Sequence, residues 1–156
     1  MTFTGRAFAR TDRAWHLSSR METFVMVASV RPFLMFQGDA EAAMNFYVSL
    51  FPNAHIVDIV RYGPGEAGPE GSIMTAVFSI ADQSIMCIDS PVKHAFSFTP
   101  AFSLFIECDS EDEISRLSSS LGEGGAVLMP LADYGFSRQF TWVNDRYGVS
   151  WQLNLR

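Results

Sequence analysis

Lysine is almost absent from this chain: Lys93 is the only one in 156 residues. Eleven Lys and Arg stand against seventeen Asp and Glu, a net charge of −6. That balance excludes a nucleic-acid surface, which needs clustered cations. Cysteine is scarce too. Cys87 and Cys108 lack the Cys-x-x-Cys spacing of a zinc or redox site and lie in apolar, strand-like runs. Buried free thiols are the expectation, in keeping with a reducing, cytoplasmic setting. No apolar run reaches the ~18 residues of a membrane helix, so no membrane partner is expected. The histidines His16, His55 and His94 share no His-x-His or His-x-x-x-His spacing.

Several motifs are missing as well. The Gly- and Pro-rich stretch 63–71 lacks G-x-x-x-x-G-K-[ST] and does not run from strand into helix, which excludes a phosphate loop. Gly63-x-Gly65 likewise lacks the strand-turn-helix setting of a dinucleotide site. No Gly-x-Ser-x-Gly nucleophile elbow occurs.

What is present is a globular composition, 48% hydrophobic with 14 Phe, and a pattern written twice, 70 residues apart. Leu34-Met35-Phe36 is answered by Leu104-Phe105-Ile106, and Asp39-Ala40-Glu41 by Asp109-Ser110-Glu111. Met44, Tyr47 and Phe51 are answered by Ile114, Leu117 and Leu121. A period of this length is a whole supersecondary unit, not a solenoid turn.

Each unit reads β-α-β-β-β. Residues 30–37 form a short apolar strand, and Asp39 stands where a helix N-cap is expected. Ala40, Ala43, Met44, Tyr47 and Phe51 fall on one helical face, and Pro52-Asn53 ends it. A β-branched strand over 54–62, the loop 63–71 and a hairpin about Ala81-Asp82-Gln83 follow. The second unit repeats the order: a strand over 101–108, Ser110-x-x-Glu113 as a capping box, a strand over 126–129, a loop over 130–137, and a hairpin around Asn144-Asp145-Arg146-Tyr147. Gly148 is expected to supply a backbone angle that other residues resist. The expected organisation is a leader or extension over 1–28, a first module over 29–90, a linker over 91–99 and a second module over 100–156. The leader carries Arg6, Arg10, Arg13 and Arg20, and is read as a floppy extension, or as residues ahead of a natural start at Met21 or Met26, in preference to an organelle presequence.

Three stretches resemble the PhnB-like branch of the vicinal oxygen chelate superfamily, which includes glyoxalase I and extradiol dioxygenases. They are Pro32-Phe33-Leu34-Met35-Phe36 with Ala40-Glu41-Ala42-Ala43-Met44-Asn45-Phe46-Tyr47, then Gly71-Ser72-Ile73-Met74-Thr75-Ala76, and Trp142 to Gln152. Members of this branch often bear the name 3-demethylubiquinone-9 3-methyltransferase. The resemblance implies an α+β fold, two βαβββ modules whose curved sheets surround a cleft, and a homodimer. It also implies a divalent metal held from the first and fourth strands of each module. Here the corresponding positions are Pro32, Phe102, Cys87 and Gln152, with Asp89 and Gln37 as outside candidates. Pro32 and Phe102 cannot ligate through their side chains, and the other two are mismatched in softness.

The expectation is therefore a protein without a cofactor or a complete metal site, binding a hydrophobic small molecule. The candidate ligand-binding residues are Leu34, Phe36, Cys87, Asp89, Phe102, Leu104, Trp142 and Gln152, with Leu34, Phe36, Phe102, Leu104 and Ile106 on the cleft side. Asp145 is read as a turn residue. The alternative is a metal-dependent lyase, isomerase or dioxygenase of the same superfamily. Methyl transfer is disfavoured, because no Rossmann alternation with an early Gly-rich turn is present.

Overall fold

The chain's structure is a computed structural model that describes residues 28–156. The leader expected over 1–28 lies, up to residue 27, outside the described residues. The first module comprises β1 (Phe33–Phe36), α1 (Ala40–Leu50), β2 (His55–Arg61), β3 (Ile73–Ile80) and β4 (Gln83–Asp89). The second comprises β5 (Leu104–Glu107), α2 (Glu111–Gly122), β6 (Ala126–Ala132), β7 (Gln139–Asn144) and β8 (Ser150–Leu155). The repeat in the sequence is thus a repeat of structure, and the fold is α+β. Each module folds into a four-stranded curved sheet, ordered β1-β4-β3-β2 and β5-β8-β7-β6. In each, the first strand runs parallel to the fourth and the others pair antiparallel. Strand β6 continues past the expected loop start through Pro130. It lies on the sheet edge, where a missing N–H is tolerated, and its ladder to β7 shifts register around Met129.

The two helices start differently. On α2, Ser110 Oγ accepts from the Glu113 N–H at 3.2 Å, the first half of the expected capping box. Glu113 Oε2 reaches back to the Asp109 N–H at 2.9 Å, one residue earlier than the usual reciprocal partner. On α1 the expected cap is absent: Asp39 makes no side-chain capping bond, its ψ of 2° lying outside the extended region that a cap requires. Its place is taken from across the sheet by Asp89, whose Oδ1 accepts from the N–H groups of Gly38 (2.8 Å) and Ala40 (2.9 Å). A carboxylate at a helix N-terminus is further favoured by the helix dipole.

Helix α1 buries Ala40, Ala43, Met44 and Tyr47 against its sheet, and α2 buries Ile114, Leu117 and Leu121. Each large side chain of this kind contributes about 1.5–3 kcal/mol by leaving water. The two modules share one core. The Tyr47 ring lies 5.1 Å from that of Trp151 in the second module, and Phe51 stacks on the same indole at 6.0 Å. Two glycines are dictated by this geometry. At Gly125 a Cβ would lie 2.1 Å from the Asn144 carbonyl oxygen. Gly148 has φ +88°, as the sequence leads one to expect of the β7–β8 turn.

Candidate functional site

Each sheet has one face under helices and one face without a helix, and alternation decides which side chain goes where. In the first sheet, Leu34 pairs with Cys87 and Phe36 with Asp89. All four are buried, and Leu34, Phe36 and Cys87 belong to the core beneath α1. The helix-free face carries Phe33, which is 52% exposed, with Met35, Met86 and Ile88. A groove of about 240 Å³ on this face is walled by Phe33, Met35 and Gln37, and by Phe96 and Phe98 of the following segment. In the second sheet, Leu104 pairs with Trp151 and Ile106 with Leu153, on the helix side. Phe105, 53% exposed, pairs with Gln152 on the helix-free side, and Trp142 is the next cross-strand neighbour of Gln152.

Sequence parity therefore joins residues that the structure separates. Leu34, Phe36, Leu104 and Ile106 do not share a face with Gln152; they lie on the helix side of their sheets. The cause is a one-residue difference in register. The repeat equates Leu34 with Leu104, whose partners on the fourth strands are Cys87 and Trp151. The counterpart of Gln152 is thus Ile88, not Cys87, and a slip of one residue in a strand reverses the face. Phe102 precedes β5 and is 61% exposed.

The structure does bring Trp142 and Gln152 together, in a polar group on a face that Phe105, Trp142 and Phe140 share with Ser150, Asn154 and Glu107. The Gln152 amide donates to Ser103 Oγ at 3.2 Å, and the Ser103 and Ser150 hydroxyls share a hydrogen bond at 2.8 Å. The Trp142 indole N–H donates to Ser150 Oγ at 2.8 Å. Next to them stands an aromatic group that sequence reasoning missed. The β6–β7 loop lays Phe136 edge-on to Phe140, with ring centroids 5.2 Å apart, and Tyr134 stacks on Phe136 at 6.1 Å. Phe140 lies two residues before Trp142 and shares its face. The loop 130–137 carried a trace of this in Tyr134 and Phe136, two aromatics within a turn-rich stretch that packing in a core did not explain.

Asp145 is the buried carboxylate with the most partners, whereas the side-chain oxygens of Gln139 and Asn144 are buried without one. Asp145 is 3% exposed. Its Oδ1 accepts from the Tyr147 and Val149 N–H groups, and its Oδ2 from the Tyr47 hydroxyl (2.7 Å) and the Trp151 indole (2.8 Å). It serves the turn, as its sequence position suggests, and also ties α1 to the second module. Burial, with the Asp145 carboxylate beside it, holds the Tyr47 hydroxyl protonated far above the usual tyrosine range. Burial pushes the Cys87 thiol up to about 12, with the Asp89 carboxylate adding to the effect.

Among the described residues, the positions that the resemblance assigns to a divalent metal are not brought together as matching donors. Cys87 is a protonated thiol beneath α1, Gln152 points from the opposite face of the other sheet, and Asp89 is spent on capping α1. Among the described residues no three His, Cys, Asp or Glu side chains converge on one point. Among them, too, no helix is long and apolar enough to cross a membrane.

Comparison with known proteins agrees with this architecture. A family model described as 3-demethylubiquinone-9 3-methyltransferase matches residues 28–154. The solved structure of a putative 3-demethylubiquinone-9 3-methyltransferase, PhnB protein, from Bacillus cereus is 52% identical, with a TM-score of 0.80 over 82% of this chain and 99% of that one. Protein YjdN of Escherichia coli (strain K12) is 23% identical over 138 residues, 80% of this chain and 92% of that protein. The fosfomycin resistance protein FosX of Listeria monocytogenes, solved with Mn(II), shares the fold at 14% identity, with a TM-score of 0.59 over 83% of this chain and 93% of that one. By the family match and the 52% identical PhnB structure together, this chain belongs to the PhnB-like 3-demethylubiquinone-9 3-methyltransferase family.

Proposed function

We propose that this chain binds a hydrophobic small molecule against the helix-free faces of its sheets, without a complete metal site and as a homodimer. One observation carries the reading. Phe33 and Phe105 stand about half exposed on those faces, and the face bearing Phe105 also presents Trp142 beside the polar side chain of Gln152. Ligand sites are commonly built this way, from apolar and aromatic walls with a few placed polar groups. Flat aromatic surfaces favour a planar or ring-bearing ligand. Exposed aromatics on both sheets also favour a second copy of the chain as a cover. Of the residues singled out in the sequence, Trp142 and Gln152 are the ones we retain for ligand contact. The methyl-transfer name of the family is not extended to this chain, whose two antiparallel-rich sheets have no Rossmann crossover.

The test is a screen of ring-containing fragments read by NMR at the Trp142 indole N–H and the Gln152 side-chain amide. Binding fragments are expected to shift both, and Gln152→Ala to weaken them about tenfold, the loss of one hydrogen bond. A screen that moves neither signal would sink the proposal. Metal content by mass spectrometry runs beside it, and one tightly held metal per chain would replace this reading with the metal-dependent one.

A further inference from the structure

A second cavity, of about 250 Å³, lies at the seam between the two modules. Ile80 and Ile85 from the end of the β3–β4 hairpin line it on one side, and Leu104, Ile106 and Trp151 on the other, with the half-exposed Phe105 beside them. The topology explains why it is there. Ile85 pairs with Phe78 on the helix side of the first sheet, and Leu104 pairs with Trp151 on the helix side of the second. Helix α1 packs over β2, β3 and β4, and helix α2 over β6, β7 and β8. At the hairpin end and β5 the two apolar faces border the cavity, and their side chains do not fill the space.

The walls are mainly apolar. The one donor of the Trp151 side chain is taken by Asp145 at 2.8 Å. The Gln83 amide, also at the cavity, donates to the Ser84 carbonyl oxygen at 2.9 Å. The other lining side chains are hydrocarbon. Apolar walls suit a hydrocarbon guest: an enclosed apolar cavity of roughly 150 Å³ in another protein takes up benzene. A volume of about 250 Å³ has room for one or two rings.

We propose that this cavity is a separate small-molecule site, taking an uncharged, hydrocarbon-rich compound of one or two rings. It lies on the other side of the second sheet from Gln152, since Leu104 and Gln152 face opposite ways, and Phe105 at its rim is the one residue it shares with the helix-free face. Leu104, singled out in the sequence as a ligand contact, belongs here. The site does not depend on the function proposed above.

Toluene is the probe, titrated into the full chain with isotope-labelled methyl groups. The methyl signals of Ile80, Ile85 and Leu104 and the indole signal of Trp151 are expected to shift and saturate at about millimolar toluene. In Leu104→Trp, which places a ring in the cavity, the apparent affinity should fall at least about tenfold. Should that variant not fold, the wild-type titration decides alone, because the shifts map the site. Shifts that rise without saturating, or that are confined to Trp142 and Gln152, would overturn the cavity site. The second pattern would leave the helix-free face as the binding surface. Shifts at the cavity with none at Trp142 or Gln152 would do the reverse.

Discussion

At the scale of the residue, two buried groups decide most. Asp145 accepts four hydrogen bonds and forms no ion pair among the described residues. A carboxylate can be buried this way because charge-assisted bonds offset its lost hydration. Removing the Tyr47 hydroxyl leaves Oδ2 with Trp151 alone, so Tyr47→Phe should destabilise the fold by about 1–3 kcal/mol. Urea denaturation measures this, and a loss within error of zero would mean that water replaces the hydroxyl. The thiols follow from burial. Burial pushes Cys87 up to about 12 and Cys108 up to about 11, from an ordinary 9.0. Below pH 9 both thiols are neutral whether the chain is folded or unfolded, so they add no pH dependence there. Above pH 9 the unfolded chain ionises first, and stability is lost progressively as pH rises through 11 to 12. Cys87→Ala should flatten part of that alkaline decline. Ellman's reagent should leave both thiols untouched in the native protein and react with both after denaturation. That the thiols are buried and free was legible in the apolar runs around them. That Asp89 caps α1 was not, since the bond spans 49 residues and Asp39 occupies the position a local reading prefers.

At the scale of the element, the strands and helices were legible because hydrophobic periodicity is local. The face of each strand was not. In β1 both sets of alternate residues are apolar, Phe33 and Met35 on one side and Leu34 and Phe36 on the other. Alternation therefore gives no preference, and the face is set by pairing with β4. In β8 the choice is plain, since Trp151 and Leu153 alternate with Gln152 and Asn154. This is why the side of Gln152 could be argued and that of Leu34 was reversed. The β3–β4 hairpin carries a testable strain. Ala81 and Asp82 adopt φ values of 46° and 62°, as a type I′ turn requires, and neither is the Asn or Gly such turns favour. Ala81→Gly should raise stability by about 0.5–1 kcal/mol, because the left-handed conformation costs glycine nothing. A melting temperature that stays level or falls in this variant would show that the turn relaxes in another way.

At the scale of the whole molecule, the open question is what covers the exposed aromatics. Phe33, Phe96, Phe102 and Phe105 each exceed half exposure in a single chain. If a second copy covers them, as proposed, sedimentation at micromolar concentration should give twice the mass of the chain. Phe105→Asp should then shift it toward monomer without unfolding it, and a wild-type chain that sediments as a stable monomer would remove the homodimer from the proposal. By itself the sequence determined the two-module plan, the order of elements in each module and the family, because repeats, periodicity and turn residues are all local or strictly periodic features. Only the tertiary structure decided the face on which each candidate lies, the partner of each buried charge and the cavity at the seam. Those depend on strand register and on contacts such as Tyr47 with Asp145, 98 residues apart. A shift of one residue in register leaves the hydrophobic pattern nearly unchanged while turning every side chain of the strand to the other side.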